Sequence, residues 1–276
     1  MPQVTVLGRE IEVRMIPGAA TGCPPLVFLH EGLGCVSMWR DFPDKVARRV
    51  GAPAMIYSRF GYGKSDGLNG PRTLDFMHEE ALDVLPELLD TLNIQNPILI
   101  GHSDGASIAL IHAALARRKS TAVVLMAPHV MVEPVSVESI ARITETYETT
   151  DLKARLANHH KNVDDAFLGW SRAWLNPQFR SFHLGREAQA LAIPALLIQG
   201  EDDEYGTLAQ LDAIAEVAKG PVQRVVLSNC GHSPHRDQEA AVLDAISGFV
   251  ERHVVGEAGR DRNSTAATPR KPTPGA

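Results

Sequence analysis

Six short apolar runs, most of them separated by amphipathic stretches of helical length, set the strongest limit on what this chain can fold into. The runs are Leu26 to Leu29, Ala54 to Tyr57, Ile98 to Ile100, Val123 to Met126, Ala195 to Ile198 and Arg224 to Leu227. Their length and β-branched content read as buried strands. Trp39 to Arg49, Leu74 to Leu92, Ser107 to Arg118, Thr207 to Ala218 and Asp237 to His253 read as helices between and after them. Val4 to Ile16 precedes them as a strand pair broken at Gly8. Such alternation predicts an α/β fold built on a mostly parallel, doubly wound sheet with helices on both faces. Right-handed crossovers gather the loops that follow the strands along one edge, where a ligand crevice belongs.

One interval interrupts this rhythm. From about Val130 to Leu191 the patterns are helical, without a convincing strand, and include Phe167, Trp170, Trp174, Phe179 and Phe182. We expect a helical cap inserted over the strand ends, so that residues 1–129 and 192–255 form the core and 130–191 the cap. Trp170 and Trp174, four residues apart, either seal the cap against the core or line a substrate pocket. The stretch 256–276 has almost no apolar bulk and is expected to be disordered.

Bulk properties narrow the field. At 276 residues the chain suits one large α/β domain with an insertion or two small domains, and its 44% apolar content supports a full core. A net charge of −6 gives no reason to expect nucleic acid or an anionic membrane as partner. No apolar run approaches the roughly 20 residues that span a bilayer. Met1 to Arg14 lacks a basic region followed by an apolar one, so no secretory signal is expected. Cys23, Cys35 and Cys230 are odd in number and lack metal-ligand spacing, which points to a reducing, cytoplasmic setting.

Gly101-His102-Ser103-Asp104-Gly105 follows the run Pro97 to Ile100 and precedes a helical pattern. A serine with glycine two residues to either side, between strand and helix, fits a sharp turn that lifts the hydroxyl off the sheet. Glycine suits these places because side chains there would meet the neighbouring strand and helix. The hydroxyl then sits at a helix N-terminus, whose free N–H groups favour developing negative charge. A serine hydroxyl is a weak nucleophile and needs a base, an orienting acid and donors for the oxyanion. Ala195 to Gly200 runs into the acidic turn Glu201-Asp202-Asp203, and Val225 to Leu227 runs toward Gly231-His232. Both groups fall just beyond a strand, on the edge expected for Ser103.

Taken together, these segments resemble the α/β-hydrolase superfamily across roughly residues 10 to 255. His30-Glu31-Gly32-Leu33-Gly34 resembles its His-Gly-x-x-Gly oxyanion loop, and Arg59 to Ser65 resembles its Arg-x-Gly-x-Gly-x-Ser segment. Gly200 to Asp203 resembles Gly-x-x-Asp, and Gly231-His232-Ser233 resembles its histidine loop. The resemblance implies Ser103 as nucleophile, His232 as general base and Asp203 as orienting acid, with Asp202 as rival. Glu201 and Glu204 read as solvated turn charges. His235 lies near the histidine loop but does not directly follow its glycine, and His102, His159 and His160 lack a post-strand position. His30 reads as structural.

The backbone N–H groups of Asp104 and Gly32 are expected to form the oxyanion hole. Glu31 stands where the family pattern has glycine, and a one-residue slip would make Leu33 the donor instead. Glu31, Leu33, Trp170 and Trp174 are the candidate substrate-binding side chains. Asp104 or Glu31 could face a cationic substrate group, as in family members that cleave amino-acid esters. Alternatively, Asp104 is a carboxylate favoured by the helix dipole. Cys35 and Cys230 read as buried spectators.

The resemblance implies a serine hydrolase that cleaves a small carboxylic ester or lactone through an acyl-enzyme, with no metal or organic cofactor. A carbon–carbon bond hydrolase on ring-cleavage products uses the same residues and stays open. So do a cofactor-free perhydrolase and a ligand receptor that retains the triad. Neither the substrate nor the oligomeric state is fixed by the sequence.

Overall fold

The strand order places a reversal of the chain at the centre of an eight-stranded sheet. The strands are β1 (Gln3–Val6), β2 (Arg9–Ile16), β3 (Leu26–Leu29), β4 (Ala54–Tyr57), β5 (Ile98–His102), β6 (Ala122–Met126), β7 (Ala195–Gly200) and β8 (Val222–Leu227). Their spatial order in this computed structural model, which describes residues 2–18 and 22–255, is β1-β2-β4-β3-β5-β6-β7-β8. The hairpin β1–β2 joins β4 antiparallel, and from β4 to β8 every pairing is parallel. The chain passes from β3 outward to β4 and then returns to β3's other side as β5. Ligand sites of open α/β sheets lie beyond the carboxyl ends of the strands at such a reversal.

The sheet's interior strands are fully buried because apolar clusters cover both faces. Leu99, Leu125 and Leu197 point into one cluster, while Ile98, Val124 and Ile198 point into the other. This alternation is the two-residue period of a strand. The helices α1 (Phe42–Val50) and α11 (Glu239–Val250) cover one face, with Phe42, Val46, Ile246 and Phe249 in its cluster. On the other face, α2 (Phe76–Glu79) and α3 (Leu85–Thr91) are joined by a π-helical turn over Glu80–Val84. Beside them lies α4 (Asp104–Leu115), buried along nearly its whole length.

Between β6 and β7 the chain forms α5 (Pro134–Thr149), α6 (Leu152–Ala157), α7 (Val163–Leu175) and α8 (Gly185–Ala190), with a 3-10 turn over Pro177–Ser181. Tyr147 of α5 stacks on Phe167 of α7 with ring centroids 3.8 Å apart. Phe167, Trp170, Trp174 and Phe179 join the same apolar cluster as α3 and α4. The stretch 256–276, expected to be disordered, lies outside the described residues.

Two sequence expectations need correction. Arg224 to Leu227 does not form a buried strand: β8 alternates partly buried and exposed residues, with Val226 38% exposed. Among the described residues it is the sheet's edge, with β7 its one neighbouring strand. The helices expected at residues 207–218 and 237–253 begin or break elsewhere, as α9 (Ala209–Ala215) and as α10 (Pro234–Asp237) followed by α11. Among the described residues no helix is long and apolar enough to cross a membrane.

The tightest backbone approach in the centre of the sheet is at Gly105, where an added Cβ would lie 2.1 Å from the carbonyl oxygen of Leu29. Backbone atoms cannot yield as a flexible side chain can. We therefore expect Gly105→Ala to destabilise the fold by about 1–3 kcal/mol, read as a lowered urea midpoint with an unchanged slope.

Candidate active site

Ser103 follows β5 and opens α4 in a backbone conformation that few non-glycine residues adopt, with φ 53° and ψ −122°. Such conformations cost on the order of 1–3 kcal/mol and persist only where the surroundings enforce them. Here the Ser103 N–H donates to the Met126 carbonyl at 2.9 Å, and its own carbonyl accepts from Ala106 at 2.8 Å. The flanking glycines are required by space. A Cβ on Gly101 would meet the Gly105 carbonyl oxygen at 2.3 Å, so strand and helix touch at this turn.

Ser103 joins the two groups the sequence selected for it. Its Oγ lies 2.9 Å from His232 Nε2, and His232 Nδ1 lies 2.8 Å from Asp203 Oδ1. With Nδ1 facing a carboxylate, the neutral imidazole carries its proton there and leaves Nε2 to accept from the hydroxyl. Asp203 is fixed in turn. Its Oδ1 accepts from the N–H groups of Tyr205 and Gly206 at 2.8 and 3.2 Å, and its Oδ2 accepts from Gln199 Nε2 at 3.1 Å. Burial acts to raise the Asp203 carboxyl, but the facing His232 and the Tyr205 N–H outweigh it and hold it below the ordinary carboxylate range.

The loops after β7 and β8 meet because Gly200 has no side chain: a Cβ there would lie 1.9 Å from the Cys230 carbonyl oxygen. Asp202, the rival acid, is exposed and donates its N–H to that carbonyl at 3.0 Å. Glu204 is not simply a solvated turn charge, since its Oε2 accepts from the His232 N–H at 3.1 Å.

Pairing of Leu29 with Gly101 sets the loop after β3 beside the serine turn. His30 serves that loop from within: it is fully buried, its Nε2 accepts from the Arg59 N–H at 3.1 Å, and its Nδ1 donates to the Glu31 carbonyl at 2.7 Å. Arg59 Nη2 donates to the same carbonyl at 2.9 Å. Leu33 packs against the apolar cluster, and its carbonyl accepts from His160 Nε2 at 3.0 Å. The Glu31 carboxylate lies 3.6 Å from His102 Nδ1 and 3.7 Å from Arg236 Nη2. Burial pushes this carboxyl up, yet those two partners win and hold it well below the ordinary range.

Both tryptophans of α7 reach this region. A Cβ on Gly32 would lie 2.1 Å from Trp170 Nε1, so the indole rests directly on that glycine. Trp174 Nε1 donates to Asp104 Oδ1 at 3.2 Å. Asp104 is 1% exposed, and burial raises its carboxyl above the ordinary range despite the charge of Arg59 and the Trp174 N–H. Ser103 beneath these rings is 6% exposed. Beside α7 lies a cavity of about 400 Å³, lined by Leu68, Arg72, Leu168, Gly169 and Arg172 among others.

Sequence reading passed over Tyr205 and His129 as neighbours of His232 and set His102 aside as a base. Its ring centroid lies 4.7 Å from Tyr205, 5.2 Å from His102 and 5.4 Å from His129. His102 Nε2 is 2.6 Å from the His232 carbonyl oxygen. His129 and His102 stand next to β6 and within β5, and only the order of strands in space brings them to a residue more than a hundred positions away. Among the described residues no cluster of three His, Cys, Asp or Glu side chains could hold a metal ion.

Comparison with known proteins gives this arrangement its class. Residues 26–245 match the alpha/beta hydrolase family, and the chain belongs to that family. The coarse activity this supports is that of a hydrolase. The chain is 21% identical over 274 residues to the proline iminopeptidase of Lactobacillus delbrueckii subsp. lactis, covering 85% of this chain and 92% of that protein. The solved enol-lactonase of Burkholderia xenovorans aligns with a TM-score of 0.70 and 21% identity, covering 91% of this chain and all (100%) of that one. An esterase of Exiguobacterium antarcticum aligns with a TM-score of 0.71 and 17% identity, covering 90% and 98%. At such identities the structural likeness is one of fold.

His129 offers a test of the site's electrostatics. Burial first, and then the neighbouring His232, lowers it from the ordinary 6.5 to about 3. The unfolded chain therefore takes up this proton first as pH falls. The stabilising contribution is whole above about 6.5 and is lost on the way down to about 3. Between pH 6 and 4 the wild type should lose up to roughly 1.4 kcal/mol per pH unit more than His129→Gln, as measured by urea unfolding at stepped pH.

Proposed function

We propose that this protein is a serine hydrolase that cleaves a small carboxylic ester or lactone through an acyl-enzyme intermediate. The observation that carries this reading is the unbroken chain from Ser103 Oγ through both nitrogens of His232 to Asp203 Oδ1, at 2.9 and 2.8 Å. Ser103 Oγ attacks the carbonyl carbon while His232 Nε2 takes its proton. Asp203 keeps the imidazole in the right tautomer and stabilises the imidazolium that forms. His232 then protonates the leaving alcohol, and a water activated by the same nitrogen releases the acid.

Negative charge on the tetrahedral intermediate falls to the backbone N–H groups of Asp104 and Gly32, with Leu33 the alternative to Gly32. Losing one such donor costs on the order of 10²–10³ in rate. The indole of Trp170 against Gly32 and the low exposure of Ser103 support a small acyl group and an α7 that shifts to admit it. In this reading the helices between β6 and β7 act as a cap, and Leu33, Trp170 and Trp174 bound the pocket.

The charges beside the site support an uncharged acyl group. Asp104 is already faced by Trp174 and by the cation of Arg59, and Glu31 by His102 and Arg236. A substrate ammonium would have to displace His102 and Arg236 from Glu31, or enter the closed space at Asp104 Oδ2, which is buried without a hydrogen-bond partner.

The direct experiment follows p-nitrophenyl acetate and butyrate hydrolysis by wild type and Ser103→Ala. We expect kcat to fall by at least about 10³ in the variant, whereas equal rates would refute the nucleophile. Butyrate and valine esters of one alcohol then test the charge argument. The expected result is no preference for the amine-bearing ester, and a strong preference would return Asp104 to the role of cation receptor.

A further inference from the structure

Glu31 occupies the position at which this chain departs from the family's glycine, and its side chain has been given a place of its own. It folds back over Gly34, where an added Cβ would lie 2.3 Å from Glu31 Oε2. Gly34 is thus the residue that makes room for the carboxylate. One oxygen, Oε2, lies 3.6 Å from His102 Nδ1, and the other, Oε1, lies 3.7 Å from Arg236 Nη2. His102 is 1% exposed and closes β5, one residue before the serine. Its other nitrogen, Nε2, sits 2.6 Å from the carbonyl oxygen of His232. A carbonyl can only accept, so Nε2 donates there. With Nδ1 3.6 Å from the Glu31 carboxylate, both ring nitrogens of His102 face oxygens.

Three segments therefore meet at one pair, a buried His102 and a partly buried Glu31. Glu31 immediately precedes the candidate oxyanion donor Gly32, His102 immediately precedes Ser103, and the His232 carbonyl belongs to the base itself. His235 packs on the His102 ring with centroids 4.8 Å apart, and Trp39 packs on both histidines at 6.5 and 5.0 Å. The ring of His102 has little freedom to leave.

We propose that Glu31 and His102 are a pair of positioning residues that hold the oxyanion loop, the nucleophile and the base in one register. The inference rests on the serine-hydrolase reading above and deepens it. Neither side chain touches the reacting atoms. The pair keeps the Gly32 N–H, Ser103 Oγ and His232 Nε2 at mutual distances that suit the transition state, so its loss appears in kcat more than in KM. Truncating either member removes the same contact between the loops, so the two act as a unit.

The test compares wild type, Glu31→Gln, His102→Gln and the double variant on p-nitrophenyl butyrate, with Ser103→Ala alongside. Glutamine at 102 keeps a donor for the His232 carbonyl while removing the group that faces Glu31. Each single variant is expected to lower kcat about tenfold with KM within about twofold of wild type, and the double variant to be no slower than the slower single. Glu31→Asp, which keeps the charge but withdraws it from His102, should give the same split and serves if Glu31→Gln does not fold. Unchanged kcat in Glu31→Gln beside an inactive Ser103→Ala would overturn the pair and leave the hydrolase reading standing. A rise in KM alone would overturn it in favour of a substrate-binding Glu31. Full activity in Ser103→Ala would overturn both.

Discussion

The contact on which the site depends is the backbone approach between β3 and the start of α4. Leu29 of β3 pairs with Gly101 of β5, and Gly105 then passes so close to the Leu29 carbonyl that no side chain fits between them. The loop after β3 and the serine after β5 are neighbours because of it. The order of strands does the rest, since β6, β7 and β8 follow β5 outward and present their carboxyl ends along the same edge. Asp203 and His232 reach Ser103 because they follow β7 and β8 by only a few residues. The unfavourable φ of Ser103 is held between Met126 on one side and the first turn of α4 on the other.

Much of this was legible in the sequence because strands and sharp turns leave local marks. Each of the six apolar runs marks a strand of the parallel sheet, and Gly8 does break the first strand pair. Ser103, His232 and Asp203 were named from motifs, and the structure brings them within hydrogen-bonding distance of one another. What failed, failed for want of neighbours. Arg224 to Leu227 reads as a buried strand from Val225, Val226 and Leu227, and nothing in that run says whether a further strand lies beyond. Long-range partnerships left no local mark either. That His102 would bond the His232 carbonyl, or that Gln199 would hold Asp203, depends on strands that are adjacent only in space.

The site is also a study in how charge is kept inside a fold. Arg59, 2% exposed, ties the loop after β4 to the loop after β3 through the Glu31 carbonyl, while its side chain lies over the Tyr62 ring at 4.9 Å. Burial alone works against its charge, but Tyr62, Asp104 and Glu80 more than restore it. Asp104 and Glu80 are raised by burial, and Arg59 opposes that shift in both. A buried charge is tolerable only with such company. The charged residues beneath the serine turn therefore stand or fall together.

The bond from the Trp174 indole to Asp104 joins α7 to the residue directly after the serine. Trp170 rests on Gly32 in the same helix, and the third tryptophan, Trp39, is packed between Phe28 and His235 on the far side of the histidine loop. Two of the three indoles thus border the loops around Ser103, while Trp39 belongs to the apolar cluster on the sheet's other face, and all three are 6% exposed or less. The emission of the two α7 indoles should accordingly report on one small volume. If α7 acts as the proposed cap, a shift to the red would signal water reaching those two indoles, an optical gauge of whether the site is open or shut.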